Sequence, residues 1–139
     1  LLGGYHSFNA SGDTPAGSAF KIALYTSSAT IDTTSTAYSA TNEVASGGGY
    51  TTAGEALTNT GVAKSTVTSY TDFSDVSWTS ATFTARGCLI YNSSTISGLT
   101  TDACVCTIDF GGDKTVSSGT FTIQFPANDS SNAIIRITS

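Results

Sequence analysis

Between Trp78 and Pro126, apolar residues alternate with Thr and Ser in short runs that glycines interrupt. A helix with one apolar face needs apolar residues three and four positions apart. Here they recur every second position, in WTSATFTARGCLIYNSS and again in ACVCTIDFGGDKTVSSGTFTIQFP. Period two puts one set of side chains on each face of an extended strand. With Thr and Ser on the alternate positions, this is the pattern of an antiparallel sheet that keeps one face wet.

The same pattern recurs along the chain. Phe20 to Thr26 reads as the first strand, and Glu55 to Ala63 and Lys64 to Tyr70 as two more, with a turn near Asn59 to Gly61. Phe73 to Trp78 links into further strands over Ala81 to Arg86, Cys88 to Tyr91, Ala103 to Phe110, Gly119 to Phe125 and Ile134 to Thr138. About nine or ten short strands with closely spaced turns describe an all-β fold, and we expect an antiparallel β-sandwich with jelly-roll wiring as one option. No stretch offers a capped run of helical period. In residues 1–19, Gly3, Gly4, Gly12, Pro15 and Gly17 work against regular structure, so we read an N-terminal arm followed by a single domain over 20–139. The Ser/Thr-rich stretch Ser27 to Ala40 reads as a long loop and a contact surface.

Composition narrows the function classes. A chain of 139 residues suits one domain. Charged residues are 11% of it, against roughly 25% in an average globular protein, and about a third of the chain is Ser or Thr. Seven Phe, six Tyr and many β-branched residues argue for order over disorder. The net charge is −5, and the five cations (Lys21, Lys64, Arg86, Lys114, Arg136) are scattered. With no basic stripe to neutralise phosphates, a nucleic-acid partner is not expected. No apolar run is long enough for a transmembrane helix, and no secretory leader opens the chain, so no membrane partner is expected.

Motifs that could carry chemistry have simpler readings. Gly47-Gly48-Gly49 lacks the Lys and the helix of a phosphate-binding loop and reads as a turn. Asp109 and Asp113 around Gly111-Gly112 are too few ligands for calcium and read as a tight hairpin turn; Asp72 and Asp75 read likewise as structural. His6, the single histidine, lies in the arm without a rigid frame for catalysis. Cys104 and Cys106, as C-x-C in a strand, are expected on one face, and with Cys88 they read as buried thiols. A Cys88 bridge to either is the minor alternative. The triplets at Asn9, Asn92 and Asn128 fit glycosylation sites, but such matches are frequent in a chain this rich in Ser and Asn. No catalytic residue, metal site or cofactor is expected. Strand aromatics read as core. Leu1, Leu2, Tyr5 and Phe8 of the arm, with Tyr38, Tyr50 and Tyr70 at expected loops or strand ends, are the candidate partner contacts.

The order of several short motifs resembles a family of small structural proteins of tailed bacteriophages. Lys21-Ile22-Ala23-Leu24-Tyr25 matches its K-[IV]-A-L-[YV] strand. Asn42-Glu43-Val44 and Gly47 to Gly54 match its N-E-V…G-x-G-Y-[ST]-x-G-G segment, with one glycine of the final pair replaced. Trp78 to Thr82 matches WTSAT, Arg86 to Tyr91 matches R-x-x-x-[IL]-Y, Asp109 to Gly112 matches D-[FY]-G-G, and Gly119 to Ile123 matches G-x-F-x-[IV]. The resemblance spans Lys21 to Phe125 and implies a non-enzymatic virion part, foremost a capsid decoration (cement) protein. Such a protein sits on the outer surface of the phage head, often as a homotrimer, and holds the major capsid protein. It further implies a short helical lead before Leu1, and an arm lying against the shell or a neighbouring subunit. A tail or head–tail component, and a secreted carbohydrate-binding or adhesion module, are the alternatives.

Overall fold

A computed structural model describes residues 6–9 and 17–139. Its seven strands form two antiparallel sheets and no helix occurs among the described residues. The strands are β1 (Phe20–Tyr25), β2 (Glu55–Leu57), β3 (Ala63–Ser65), β4 (Thr68–Thr71), β5 (Val76–Asn92), β6 (Ala103–Ile123) and β7 (Ile135–Thr138). The four-stranded sheet has the order β2-β1-β5-β6 and the three-stranded sheet β3-β4-β7. The sheets stay open at their edges, the arrangement of a β-sandwich.

Fewer and longer strands are present than the sequence pattern predicts, and the reason lies in β-bulges. β5 runs unbroken for 17 residues and β6 for 21. Four register shifts along this ribbon absorb extra residues without ending the pairing. Ser80 and Ser118 sit at two of them with φ of 51° and 49°, so the backbone turns there at residues that do not advertise it. Gly87, where the pattern suggests a break, faces Tyr25 on one side and Asp109 on the other. An added Cβ would come within 2.7 Å of the Ile108 carbonyl oxygen, so glycine permits close strand approach there.

The expected hairpin turn at Asp109–Asp113 is absent. Ala85 pairs with Lys114 and Gly87 with Asp109, so both flanks of the glycine pair bond to the same strand, β5, and not to each other. Residues 110–113 form a wide bulge with Gly111 at φ 72°. A second bulge corrects the C-x-C expectation. Ile90 pairs with Cys106 but Tyr91 with Cys104, leaving Val105 unpaired between them. Cys106 therefore packs on the main core, with Cys88, while Cys104 packs on the opposite face. Cys88, Cys104 and Cys106 are all free thiols.

Two other segments differ from expectation. Glu55 to Ala63 is strand only to Leu57, because the Asn59 side chain turns back to accept from the Gly61 N–H and the chain crosses to the other sheet. Lys64 to Tyr70 folds into the β3–β4 hairpin at Thr66-Val67, with Thr66 at φ 52°.

The main core lies between the sheets and gathers Phe20, Ile22, Leu24, Val44, Leu57, Phe73, Trp78 and Ile90. A second cluster covers the outer face of the large sheet. Ala23, Tyr25, Leu89 and Tyr91 are buried there beneath Ala29, Ile31 and Tyr38 from the long loop. β1 is consequently buried on both faces, where period two implied one wet face. The loop after β1 is thus partly a third layer, tied down by the Tyr25 hydroxyl donating to the Ser39 carbonyl at 2.7 Å. Burial pushes that phenol up to about 12.

Candidate protein-interaction surface

β6 is an edge strand. One side is bonded to β5; on the other, the bonds among the described residues are confined to its first residues, where Ala103 bridges to Ala37 and the Cys104 N–H donates to the Thr36 carbonyl. Among the described residues no strand pairs with the outer side of Val105 to Ile123, an arrangement that recruits another strand unless something blunts it. Bulges at 110–113 and at Ser118 blunt it in part. From Thr115 to Ile123, however, the strand carries neither charge nor proline.

Beside this edge lies an apolar groove of about 610 Å³. Its lining includes Ile108, Phe110, Phe121, Ile123, Phe125 and Ile134, with Lys114 its one charged residue. These side chains point to the core side of the sheet, but the three-stranded sheet does not extend over them, so they stay partly exposed. The groove continues the core. Phe121 packs on Phe83 at 5.2 Å and on Trp78 at 6.0 Å, while Phe125 meets Phe73 at 5.7 Å. Its floor is therefore part of the packed aromatic cluster.

Of the residues named from sequence as partner contacts, the four that the structure describes do not line this groove. Leu1, Leu2 and Tyr5 lie outside the described residues. Phe8 is 8% exposed and stacks on Phe20 with ring centroids 4.9 Å apart, so this point of the arm is anchored in the core. Tyr50 is 2% exposed. Tyr38 is half-buried against Tyr91, stacked at 4.8 Å. Tyr70 is half-buried beside an apolar hollow shared with Phe8, Val62 and Ile137.

Tyr38 and Tyr50 serve an internal site instead. The buried Glu43 carboxylate accepts from the Tyr38 hydroxyl at 2.6 Å, the Tyr50 hydroxyl at 2.6 Å and the Ala53 N–H at 2.8 Å. The Tyr50 oxygen in turn accepts from the Leu24 N–H of β1 at 2.9 Å. Burial, and after it the hydrogen bond to Glu43, pushes both phenols far above the ordinary value, so both remain donors. Glu43 thereby ties the long loop, the glycine-rich turn and β1 together. Gly54 completes the fit: at φ 66° it lies so close to β1 that an added Cβ would fall 1.8 Å from the Ile22 carbonyl oxygen.

Arg86 and Asp109 form an exposed ion pair at 3.0 Å across the β5–β6 ribbon. Asp109 also accepts from the Gly111 N–H at 2.8 Å, which caps the wide bulge. The Arg86 hydrogen bond, with that backbone contact, holds the Asp109 carboxyl below the usual range. The thiols are shifted the other way by burial, Cys106 up to about 11 and Cys88 further. The described residues contain no group of three or more His, Cys, Asp or Glu side chains able to hold a metal ion.

Strand periodicity locates the apolar alternation of Phe121, Ile123 and Phe125, but not the groove. Whether an alternating strand finds cover depends on which sheet faces it, and that is a long-range property. In comparisons with models of known protein families, with curated proteins and with solved structures, no match was found.

Proposed function

We propose that this chain is a non-enzymatic structural protein of a tailed-bacteriophage virion, and within that class a decoration (cement) protein. It sits on the outer surface of the head, as a homotrimer, and stabilises the shell by binding the major capsid protein. The order of the family-like motifs carries this reading. Four of them lie on the single β5–β6 ribbon, and two are joined by the Arg86–Asp109 pair. The two earlier ones are joined by the Tyr50 hydroxyl, which accepts from the Leu24 N–H. The resemblance thus falls on residues that work together in one fold, not on scattered words. A Ser/Thr-rich, weakly charged surface suits docking through many hydrogen bonds with little sensitivity to salt, and a symmetric oligomer gains at a shell through effective concentration.

The test is co-sedimentation of the purified protein with heads of the source phage that lack it. Saturable binding that persists in high salt, and that raises the temperature at which the heads rupture, is expected. Binding to purified tails and not to heads would reassign the protein to the tail. Absence of binding to either would overturn the virion reading.

A further inference from the structure

We infer that the contact between His6 and Asn92 is a pH-sensitive latch: it holds residues 6–9 of the arm against the end of β5 while the imidazole is neutral, and lets go when the ring takes up a proton.

A third group fixes which atom donates. Asn92 is fully buried, and its side-chain oxygen accepts from the Ser94 N–H at 2.9 Å. Turning the Asn92 amide over would set its NH2 group against that N–H, donor against donor. Its Nδ2 therefore faces His6, 3.2 Å from the ring Nδ1. An amide nitrogen only donates, so His6 Nδ1 must accept, and the ring is neutral with its proton on Nε2. A second proton can go only to Nδ1. Donor then meets donor beside a buried amide, and the bond is lost.

The surroundings favour the neutral ring. His6 shares an apolar hollow with Ser69 and Tyr70 of β4 and with Ile135 and Ile137 of β7. The ionisable groups on or next to these elements are Tyr70, Asp72, Arg136 and, opposite Ser69, Lys64 of β3. The Asp72 carboxylate is taken by the Phe73 and Ile134 N–H groups. Arg136 donates to the Ser131 carbonyl. Beside Asn92, Lys21 lies on the other face of β1, opposite Tyr91. Among the described residues no carboxylate pairs with His6 to steady an imidazolium. Burial, and after it the positive amino terminus, holds the imidazole below its ordinary value.

The latch sits where the arm is tied down. Ser7 donates its N–H to the Ser18 hydroxyl at 3.1 Å, and Ser18 donates its own to the Ser7 carbonyl at 2.8 Å. Ala19 bonds in turn to Ser93 and Ser94, so residues 92–94 receive the arm at two points. Between these ties, Phe8 covers Phe20 and Phe73. An arm that lifts bares those two core rings. Because the closed arm favours the neutral ring, the latch is at full strength above about pH 6.5, the value of a free histidine, and weakens as pH falls through the lowered value. Mild acid thus favours exposure of an apolar surface that neutral pH keeps covered.

NMR of the full chain tests the inference. At about pH 7.5 the His6 ring should be the Nε2–H tautomer, and its titration midpoint should lie below about 6.5. From about pH 7.5 to 5, hydrogen-exchange protection of the Ser7 and Ser18 amides, corrected for the intrinsic rate, should fall several-fold, up to about tenfold. His6→Gln offers Asn92 a carbonyl oxygen and cannot titrate, so its protection should stay level. Asn92→Asp keeps an acceptor for Ser94 and gives the imidazolium a partner, so protection should instead rise as pH falls. Should Asn92→Asp fail to fold, His6→Gln decides alone. An Nδ1–H tautomer at neutral pH, a midpoint above about 6.5, level protection in the wild type, or a pH dependence that His6→Gln retains would each overturn the latch. None of these outcomes bears on the virion reading, which the binding to heads tests separately.

Discussion

Replacing Glu43 by Gln keeps the shape of the internal hub and removes its charge. Two hydroxyl groups donate to this carboxylate at 2.6 Å and one amide at 2.8 Å. Hydrogen bonds to a charged acceptor contribute about 1.5–3 kcal/mol each, and neutral ones about 0.5–1.5. Neutralising the two short bonds therefore costs roughly 2 kcal/mol. For a chain of this length, each kcal/mol moves the melting temperature by roughly 3–5 °C, so Glu43→Gln should melt about 6–10 °C lower. Glu43→Ala is worse. It leaves the Tyr50 hydroxyl short of its acceptor and orphans the Ala53 N–H, and each buried unmet group costs about 1–3 kcal/mol. The total then approaches the stability of a marginal domain. Trp78, the single tryptophan, is buried 6.1 Å from Tyr50, so its fluorescence reports unfolding directly in a denaturant titration. Pairing Glu43→Gln with Tyr50→Phe in a double-mutant cycle should give a coupling energy on the order of 1 kcal/mol. A Glu43→Gln protein that melts within about 1 °C of wild type would refute the hub.

Gly54→Ala and Gly111→Ala make an informative pair, because both sites have positive φ but only Gly54 faces a backbone atom. We expect Gly54→Ala to cost more than about 3 kcal/mol and Gly111→Ala only about 1, measured by urea unfolding. Hydrogen bonds from Thr34, Arg86 and Asn132 hold the carboxyls of Asp32, Asp109 and Asp129 below the usual range. A depressed folded-state value contributes stability above the unfolded value and loses it as pH falls through the folded one. Their contribution to the melting temperature should therefore be level down to about pH 4 and fall below it, with a shallower fall in Asp109→Asn. Burial raises Cys88, Cys104 and Cys106, so iodoacetamide at pH 8 should label the native protein slowly, half-buried Cys104 first and Cys88 last, as read by mass spectrometry; rapid labelling of Cys88 would contradict its burial.

The all-β class and the sandwich were legible because period two is a local property of each strand. Strand β1 and the segments of β5 and β6 all lie where alternation places them. Strand ends were less legible. Ser80 and Ser118 take positive φ inside the ribbon, and Gly111-Gly112 bulges where such a pair commonly turns, because β5 continues opposite it. The same blindness to pairing affects the site. Tyr50 looks like a loop tyrosine until Glu43, seven residues away, is folded against it. Phe8 looks like a free anchor until Phe20 stacks on it. Conversely, Phe121 and Phe125 read as ordinary core, and only the limited reach of the three-stranded sheet leaves them partly exposed.

The most direct test of the virion reading is cryo-electron microscopy of intact particles from the source. Density matching the long β5–β6 ribbon at three-fold or quasi-three-fold positions on the outer face of the head is the predicted result. Particles whose heads and tails both lack that density would contradict it.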